Sequence, residues 1–464
     1  MIRLHEVTTV EREVGECFRY LADFSTAEQW DPGVYRAEKR TPGPPAPGTK
    51  FALTLSAGGR RIPMTYQLEE LVPNELIALT GDGEGFSARD RITLESPFPG
   101  RTRIAYEAVL AFSGAAGRAE PLFRPWLKGV GRKAVEGMTR ALTLGTAPSR
   151  GPLDNLGHRL VLPAAWSFTE RGYLAMPDKG LSEFIDDRIW VITGPTSGLG
   201  LATGCLLARL GARLLLVGRG GDRLREAAAT IDAFSGCGRE RIQCFEAELS
   251  LARECRRVAA EIAAAQPAID GLVNNAGALF AERGETEEGH ERALAINLVA
   301  PWVLTRELLP AMRRRGARVI NVVSGGMYLQ PLRLDDMQFR VGRYDGSVAY
   351  ARAKRALVAV TEHWAETTPD VDFYSMHPGW AATPGVARSL PAFDRRMRRW
   401  LRDSRMGADT IAWLATTAAL AGHSGEFWFD RKPRPTAVVP GTAVDARQRA
   451  ELVTWLEAAQ ARAS

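Results

Sequence analysis

The chain has 464 residues, which is too long for one ordinary hydrophobic core and predicts two or three domains. Its apolar content of 45% and charged content of 25% are typical of a soluble globular protein. It contains no apolar run of about 18 residues and no charged-then-apolar leader, so we expect neither a transmembrane helix nor a signal peptide. The five cysteines form no CxxC pair and no metal pattern, which favours reduced thiols in the cytoplasm and no metal site. The net charge of +6 comes from arginine without any nucleic-acid motif, so nucleic-acid binding is not expected.

Residues 1–145 alternate like an antiparallel sheet. IRLHEVTTVE predicts a strand, and Val14, Cys17, Phe18 and Leu21 then follow at helical spacing until WDPG (30–33) predicts a turn. KFALTLS, Gly58-Gly59 and RIPMTYQLEEL predict a hairpin, and NELIALTG, ARDRITLES and TRIAYEAVL continue the meander. A long helix should follow, with one apolar stripe formed by Phe123, Leu127, Val130, Ala134 and Met138.

The order of strand, helix ending in ADFS…WDPG, meander and long helix resembles the helix-grip fold of the START-like, polyketide-cyclase (SRPBCC-type) superfamily. The resemblance implies an α+β domain over residues 1–147, in which a curved sheet wraps a helix and leaves a pocket for an apolar ligand. The alternative is a small α+β domain with a filled core and no ligand. Trp30 and Asp31 are expected to end a helix and close the mouth of this domain. No acid/base constellation is visible in it, so we expect no separate cyclase or dehydratase activity.

Residues 148–185 contain glycine, proline and mixed aromatic residues, which predicts a linker followed by a short helical arm. A second domain is predicted over 186–464. It opens with a strand at Arg188–Thr193, and Gly194, Gly198 and Gly200 follow that strand before a helix. Glycine is needed where a backbone approaches a pyrophosphate and turns sharply, and the N-terminus of the helix offers free N–H groups to the phosphates. This placement predicts a dinucleotide site in a βαβ unit.

The end of the second strand of this domain indicates which dinucleotide binds. NAD sites usually place a carboxylate here for the ribose 2′-hydroxyl, but this chain has Gly218-Arg219. Arginine can pair bidentately with a 2′-phosphate, which favours NADP(H). The alternatives are that Arg219 is a solvated surface residue, or that nearby Asp222 takes the place of the missing carboxylate.

A second set of motifs carries the chemistry. VNNAG (273–277), AIN (295–297), NVVS (321–324) and YARAK (350–354) follow in order. Tyr350 and Lys354 are four residues apart, so they lie one helical turn apart on one face. A charged lysine beside a phenol favours the phenolate, which would let Tyr350 act as a general acid or base near neutral pH.

Together these motifs resemble the short-chain dehydrogenase/reductase family over roughly residues 186–440, with a Rossmann-type doubly wound parallel sheet. The stretches YLAMPDKG, VVSGGMY and SGEFWFDRKP resemble its dehydrogenase/reductase member-twelve branch, and this likeness reaches back through the arm WSFTERGY. The family resemblance implies four catalytic residues: Asn297, which would hold a relay water, Ser324, which would hold the substrate oxygen, Tyr350, which would move its proton, and Lys354, which would bind the nicotinamide ribose. It implies that the cofactor-binding residues are Gly194, Thr196, Ser197, Gly198, Leu199, Gly200, Arg219, Glu248, Leu249, Asn275, Ala276, Gly277, Tyr350, Lys354, Pro378, Gly379, Trp380 and Thr383. The chain departs from the family at Glu248-Leu249, where aspartate is usual beside the adenine.

Residues 391–405 place Phe393, Met397, Trp400 and Leu401 on one side of a predicted helix. Five arginines crowd the other sides: Arg395, Arg396, Arg398, Arg399 and Arg402. The resemblance makes this segment a substrate lid; a solvated helix covering the core and a helix lying on an anionic membrane are the alternatives. We expect His377 to be a packed loop residue and Cys205 to be part of the core.

These observations predict a cytoplasmic NADP(H)-dependent oxidoreductase that interconverts a carbonyl and an alcohol. Its partner would be a lipophilic small-molecule substrate, held or supplied by the first domain, with weak peripheral membrane contact as the only expected contact with a membrane. The alternative is a non-catalytic sensor or carrier that binds NADP(H) and a lipid. The intact Ser324, Tyr350 and Lys354 set argues against a sensor, which needs no proton relay. The sequence leaves the substrate, the reaction direction and the oligomeric state open.

Overall fold

The computed structural model describes residues 2–57, 60–112, 129, 131–143, 166–176, 179–180, 183–312 and 316–462. The chain separates into two units, one formed by 1–145 with 177–181 and the other by 146–176 with 182–464. The domain limits predicted from the sequence, at 147 and 185, remain a prediction.

The first unit is built on a seven-stranded antiparallel sheet in the order β1-β7-β6-β5-β4-β3-β2. Alternating apolar and polar residues place one face of each strand inside, as the sequence predicts. The strands are β1 Ile2–Val10, β2 Val34–Lys39, β3 Lys50–Ala57, β4 Arg60–Val72, β5 Leu76–Gly83, β6 Phe86–Phe98 and β7 Arg101–Phe112.

Helices of the first unit lie in two parts of the chain: α1 at Val14–Ala22, α2 at Ala27–Trp30 and α3 at 131–142. The helix predicted to run as far as WDPG instead ends at Ala22. The Asp23 carboxylate accepts hydrogen bonds from the Ser25 backbone and hydroxyl, at 3.1 and 2.6 Å, and opens a 3₁₀ turn at Phe24–Thr26. In α3, Ala134 and Met138 are buried, whereas the predicted stripe residues Phe123, Leu127 and Val130 lie outside the described residues.

The core of the first unit lies between the inner face of the sheet and these helices. On β7, Ile104, Tyr106 and Ala108 share one buried face, and Leu110 continues it partly buried. Helix α3 approaches the segment after α1 very closely: a Cβ on Gly137 would lie 1.9 Å from the carbonyl oxygen of Trp30. This combination of antiparallel sheet and helices is the α+β plan expected for a helix-grip domain.

The second unit contains an eight-stranded sheet in the order β10-β9-β8-β11-β12-β13-β14-β15. All neighbours run parallel except β15, which is antiparallel to β14. This is the predicted Rossmann-type doubly wound sheet, whose strand order reverses between β8 and β11. The strands are β8 Ile189–Thr193, β9 Arg213–Gly218, β10 Ile242–Glu246, β11 Gly271–Asn274, β12 Ala317–Val322, β13 Val371–Met376, β14 Phe427–Phe429 and β15 Lys432–Arg434.

Helices cover this sheet and connect its strands. They are α4 Glu170–Leu174, α5 Gly198–Arg209, α6 Gly221–Ser235, α7 Ala252–Ala265, α8 Arg292–Leu294, α9 Ala300–Leu308, α10 Gly346–Thr367, α11 Pro384–Ser389, α12 Pro391–Met397, α13 Ser404–Thr416 and α14 Ala446–Arg462. Between α8 and α9 the chain makes one π-helical turn at Ala295–Val299. Within the described residues, no helix is both long and apolar enough to span a bilayer.

The close approach at Gly137 predicts the effect of a substitution. Gly137→Ala should lower the stability of the first unit by about 1–3 kcal/mol, because the added methyl group forces α3 away from Trp30. Gly129→Ala is the matched control, since this glycine is also helical and its Cβ would meet no atom of the described residues within 4 Å. The control should be neutral or stabilising by about 0.5–1 kcal/mol. Hydrogen exchange of β1 and β7 amides, resolved by mass spectrometry, would measure both changes, and equal exchange in the two variants would contradict the prediction.

Candidate active site

The predicted site residues follow the carboxyl ends of four neighbouring strands. β8 leads directly into Gly194 and β11 directly into Asn275. One residue separates β12 from Ser324, and one separates β13 from Pro378. Carboxyl ends of parallel strands meet at one edge of a sheet, and ligands of doubly wound folds bind where the strand order reverses. The topology therefore brings the predicted cofactor and catalytic motifs to one edge.

The glycine turn after β8 is the point where three loops approach each other. Gly194 and Gly198 have positive φ angles of 65° and 55°, which side chains other than glycine rarely adopt. A Cβ on Gly200 would lie 2.2 Å from the carbonyl oxygen of Gly194. A Cβ on Gly194 would lie 3.0 Å from Cα of Ala276, and one on Gly198 would lie 3.2 Å from the side chain of Thr383. The turn leaves bare backbone in front of the helix, which suits a pyrophosphate.

Thr193 is a site residue that sequence reasoning missed. Its hydroxyl accepts hydrogen bonds from the backbone N–H groups of Asn275 and Ala276, each at 3.0 Å, and donates to the Val273 carbonyl at 3.2 Å. The Asn275 side chain returns two hydrogen bonds, to the carbonyls of Thr193 at 2.8 Å and Gly194 at 3.1 Å. These bonds fix the loop after β11 against the glycine turn. The available signal was a threonine at the end of the strand, directly before the first glycine.

Thr196, Ser197 and Leu199 stand at the start of α5. Ser197 is the N-cap residue of α5. Its side chain is exposed and makes no hydrogen bond to the N–H groups of the first turn of the helix. Leu199 points toward α13, where a Cβ on Gly407 would lie 2.5 Å from its Cδ2. Ser197 and Thr196 are thus placed to face a phosphate, while Leu199 joins α5 to α13.

Tyr350 and Lys354 lie one turn apart on α10, as predicted. The helix starts where Asp345 accepts hydrogen bonds from the N–H groups of Ser347 and Val348, at 2.8 and 3.2 Å. The ammonium nitrogen of Lys354 lies 5.7 Å from the centre of the Tyr350 ring. It is buried and donates to the Val322 carbonyl at 2.8 Å, which ties α10 to the end of β12.

The protonation of this pair differs from the expectation. Burial raises the pKa of Tyr350 to about 12, while a hydrogen bond with Ser324 opposes that rise. Burial also lowers the pKa of Lys354 to about 7. The sequence predicted a lysine charge that lowers the tyrosine pKa, but desolvation outweighs that effect in the protein alone. The hydrogen bond with Ser324 does bring the predicted serine and tyrosine together.

Asn297 lies in the π-helical turn, a distortion that often marks functional sites and that the sequence did not reveal. Its amide nitrogen donates to the carbonyls of Ala278 and Ala293, both at 2.7 Å. Its amide oxygen is buried, and no donor among the described residues reaches it. A Cβ on Gly277 would lie 2.6 Å from this oxygen and 3.4 Å from the Lys354 nitrogen. A side chain at position 277 would therefore press against the Asn297 amide oxygen.

Arg219 and Glu248 meet at the adenosine end of the predicted site. Arg219 is exposed and donates to the Glu248 carboxylate at 3.2 Å. The other oxygen of Glu248 accepts hydrogen bonds from the backbone and hydroxyl of Ser250, at 3.1 and 2.8 Å. Burial opposes the ionised form of Glu248, but the bonds from Ser250 and Arg219 outweigh it and lower its pKa. Leu249 is buried beside this carboxylate.

The loop after β13 carries Pro378, Gly379, Trp380 and Thr383. Gly379 has a φ of 77°, and its N–H donates to Nδ1 of His377 at 3.0 Å. Thr383 accepts a hydrogen bond from the N–H of Val386 at 3.2 Å and so caps α11. Since Thr383 also faces Gly198, this loop closes over the glycine turn.

His377 and Cys205 are buried, as predicted. The His377 ring stacks on Phe429 at a centroid distance of 4.4 Å and meets the edge of Phe168 at 4.6 Å. His377 is thus a packed residue beneath the loop. Cys205 is buried on α5.

Arg402 corrects the prediction for the 391–405 segment. The sequence placed it among the exposed arginines, but its side chain is 1% exposed and forms a bidentate pair with Asp430 at 2.6 and 2.8 Å. It also donates to the carbonyls of Ser167, Phe168 and Thr169, at 2.6–3.2 Å. The three carbonyls belong to the predicted arm, and the sequence could not show which residues the arm contacts. Arg402 therefore holds the arm to the rest of the second unit.

The arm also contacts the loop after β13. The Trp380 N–H donates to the Phe168 carbonyl at 2.8 Å, and the Trp380 carbonyl accepts from the Arg402 N–H at 2.8 Å. The Glu170 N–H donates to the Trp400 carbonyl at 2.9 Å. On the other side of the loop, Phe393 of α12 meets Trp380 at a centroid distance of 5.4 Å. The remaining arginines of the segment are exposed: Arg395, Arg396, Arg398 and Arg399.

Comparison with known proteins agrees with this geometry. The profile described as "short chain dehydrogenase" matches residues 188–392. The bovine (Bos taurus) protein "Dehydrogenase/reductase SDR family member 12" is 37% identical over 308 residues, covering 63% of this chain and 96% of its own length. The chain belongs to the short-chain dehydrogenase/reductase family. The aligned share exceeds the part of the chain after Asp186, so the likeness includes residues before it.

Two further similar proteins come from mouse (Mus musculus). "Polyprenol dehydrogenase" is 31% identical over 293 residues, which cover 58% of this chain and 82% of that protein. "Retinol dehydrogenase 14" is 30% identical over 261 residues, which cover 52% of this chain and 77% of that protein. The first unit matches a different profile, "Polyketide cyclase / dehydrase and lipid transport", over residues 1–143. The protein thus joins a cyclase/START-like domain to a short-chain dehydrogenase/reductase domain. The short-chain dehydrogenase/reductase family uses NAD(P).

The contacts of Arg402 predict a positioning effect. Arg402→Met removes the guanidinium and leaves Asp430 buried without its partner, which typically costs about 3–5 kcal/mol. The amides of Trp380 and Ala382 should then exchange at least about tenfold faster. The Trp380 N–H donates to the carbonyl of Phe168, which Arg402 also binds, and the Ala382 N–H donates to the carbonyl of Arg402 itself. Arg399→Met is the matched control, since Arg399 is exposed on the same segment. Faster exchange in β8 and β9 as well would indicate general unfolding, and unchanged exchange at Trp380 would contradict the positioning role.

Proposed function

We propose that the protein is an NADP(H)-dependent oxidoreductase that interconverts a carbonyl and an alcohol on an apolar substrate. The observation that carries this proposal is the convergence of Ser324, Tyr350, Lys354 and Asn297, with Gly277 beside the last two. A protein that only binds a dinucleotide needs the turn but not a partly buried serine–tyrosine pair with a buried lysine and an adjoining amide oxygen.

The geometry fits a dinucleotide. The bare backbone at Gly194, Gly198 and Gly200 would hold the pyrophosphate, with Thr196, Ser197 and Leu199 beside it. Asn275, Ala276 and Gly277 would flank the adenosine side, Glu248 and Leu249 the adenine, and Pro378, Gly379, Trp380 and Thr383 the nicotinamide end. When bound, the nicotinamide would supply or accept the hydride.

The residues of this chain would manage the proton. Ser324 would hold the substrate oxygen and Tyr350 would donate a proton to it during reduction, for which its raised pKa keeps the phenol protonated. For oxidation the phenol must lose that proton, which a positively charged Lys354 favours. The amide oxygen of Asn297, which is buried without a donor among the described residues, would hold a water that passes protons onward from Lys354.

NADP(H) is the proposed form of the cofactor because an arginine, Arg219, directly follows β9. Arg219 is exposed and could pair with a 2′-phosphate, and its guanidinium is paired with the Glu248 carboxylate. Asp222, the alternative partner for the ribose, is exposed and paired with Arg225.

An apolar substrate is supported from two directions. The names of two relatives specify apolar alcohols, a polyprenol and a retinol, as what those proteins act on. The first unit matches a profile that includes lipid transport. We propose that residues 1–147 hold or deliver the substrate, that 148–185 link and anchor the domains, and that 186–464 catalyse the reaction. A non-catalytic sensor remains the second candidate, and the lipid-transport profile of the first unit would suit it as well. A sensor, however, has no need for Asn297 and Lys354 to lie side by side.

Replacing the proposed proton donor tests the catalytic proposal. Tyr350→Phe removes one hydroxyl, so folding and NADPH binding should stay nearly unchanged while kcat for carbonyl reduction falls at least about 100-fold. Tyr344→Phe removes a hydroxyl that donates to Glu291 at 2.9 Å and should retain turnover. The assay would follow NADPH oxidation over a panel of lipophilic ketones and aldehydes. Wild-type turnover in Tyr350→Phe would exclude the assigned relay, and no turnover by any form would favour the sensor.

A second substitution tests the cofactor. Arg219→Ala should weaken NADPH binding by about 10- to 150-fold, equivalent to about 1.5–3 kcal/mol for one charged hydrogen-bonded pair, and leave NADH binding unchanged. Arg213→Ala is the matched control, because Arg213 is exposed at the opposite end of the same strand. Titration calorimetry would compare both cofactors. NADH binding as tight as NADPH binding in the wild type would contradict the proposal.

A further inference from the structure

The first unit contains a buried polar cluster that its sequence did not reveal. Asp90 of β6, Tyr66 of β4 and Tyr106 of β7 point to the same interior, and they are 3%, 7% and 7% exposed. The Tyr106 hydroxyl donates to Oδ1 of Asp90 at 2.9 Å. The three residues lie on strands that are distant in sequence, so the sequence did not show that they meet. That the domain has no separate cyclase or dehydratase activity stays a prediction.

One oxygen of this carboxylate is left over. Oδ2 of Asp90 is buried, and no hydrogen-bond donor among the described side chains and backbone reaches it. Burial raises the pKa of Asp90 to about 6, while the hydroxyls of Tyr106 and Tyr66 oppose that rise. The Tyr66 hydroxyl therefore lies near the carboxyl group, although it forms no hydrogen bond with Oδ2. The group is thus mostly a carboxylate at neutral pH. A buried charged oxygen without a donor is costly, and native proteins usually supply it with water or a ligand.

Asp31, the aspartate of the WDPG turn, belongs to the same cluster. One of its oxygens accepts a hydrogen bond from the Gly33 N–H at 2.7 Å. Burial raises its pKa to about 6, that backbone hydrogen bond opposes the rise, and the charge of Asp90 adds to it. Asp31 directly follows α2 and is partly buried, whereas Asp90 lies on β6 and is buried.

Apolar side chains continue from Asp90 along the same face of the sheet. Ala108 is its direct neighbour on β7 and Ala88 precedes it on β6, and both are small and buried. Further along this face, Leu110 and the stacked rings of Phe86 and Phe112 are only partly buried. Small residues beside the carboxylate and larger, partly exposed ones beyond it suit a ligand with a polar head and an apolar tail.

We propose that the first unit binds an apolar alcohol, whose hydroxyl donates to Oδ2 of Asp90. A carboxylate can only accept hydrogen bonds, so the head group must be a donor. This inference rests on the proposed function in one respect: an alcohol and its carbonyl partner differ in this donor, so the first unit would retain the alcohol member of the pair and reject the carbonyl member.

The test uses the full chain without cofactor, so that no turnover occurs. Titration calorimetry would compare 2-octanol with 2-octanone and 2-dodecanol with 2-dodecanone. The alcohols should bind about 10- to 100-fold more tightly than the matched ketones, because only they satisfy the charged acceptor. Equal affinities in the wild type, or binding of neither class up to its solubility, would overturn the proposal and leave water as the partner of Oδ2.

Two amide substitutions locate the site. Asp90→Asn offers the ligand an N–H₂ donor, so the preference for alcohol should vanish or reverse. Asp31→Asn is the matched control: it removes a carboxylate from the same cluster but leaves Oδ2 of Asp90, so the preference should remain. An alcohol preference that survives Asp90→Asn would place the binding site elsewhere and contradict the proposal.

A parallel assay separates this inference from the proposed function. The wild type should reduce a small water-soluble ketone with NADPH, which also shows that its second unit is folded. Absence of this reduction would count against the proposed function alone, since alcohol selectivity is measured without cofactor. Normal reduction together with equal affinity for alcohol and ketone would count against the Asp90 site alone.

Discussion

The candidate site depends on bare backbone at one turn. The glycine turn after β8 touches the loop after β11 through Gly194 and the loop after β13 through Gly198, while Gly200 closes the turn on itself. A single methyl group at any of these positions would press against another loop or against the turn itself. The close packing therefore serves two purposes at once: it leaves N–H groups uncovered at the start of α5, and it sets the distance between the loops that carry the other site residues.

Much of the second unit could be predicted from sequence, because its signals are local. The glycine spacing, the one-turn separation of Tyr350 and Lys354, and the alternation of strands and helices each depend on a few neighbouring residues. The features that escaped prediction depend on partners far along the chain. Arg402 reads as one more exposed arginine until Asp430 and the arm carbonyls surround it. Asp90 and Tyr106 read as ordinary strand residues until the sheet joins them. The π-helical turn at Asn297 is a local change in the helical hydrogen-bond pattern, and the residue pattern did not predict it.

Burial sets the protonation of key groups in both units. It lowers the pKa of Lys354 to about 7 and raises that of Asp90 to about 6, so both groups titrate close to neutral pH although they begin from opposite ends of the scale. Groups of this kind respond strongly to a neighbour, because a modest change in hydrogen bonding or charge shifts them between forms. Each unit thus holds an ionisable group whose charge depends on what occupies the space beside it.

The arm bears on how this protein can be divided and recombined. Its carbonyls are bound by Arg402 and its Phe168 supports the loop after β13, so residues 166–174 are structurally a part of the dehydrogenase although they precede its first strand. A catalytic fragment cut at the start of the glycine-turn strand would lack one wall of its own loop. Exchange of the first domain for another, whether by evolution or by protein engineering, would have to join the chains before Trp166, and the arm would move with the enzyme.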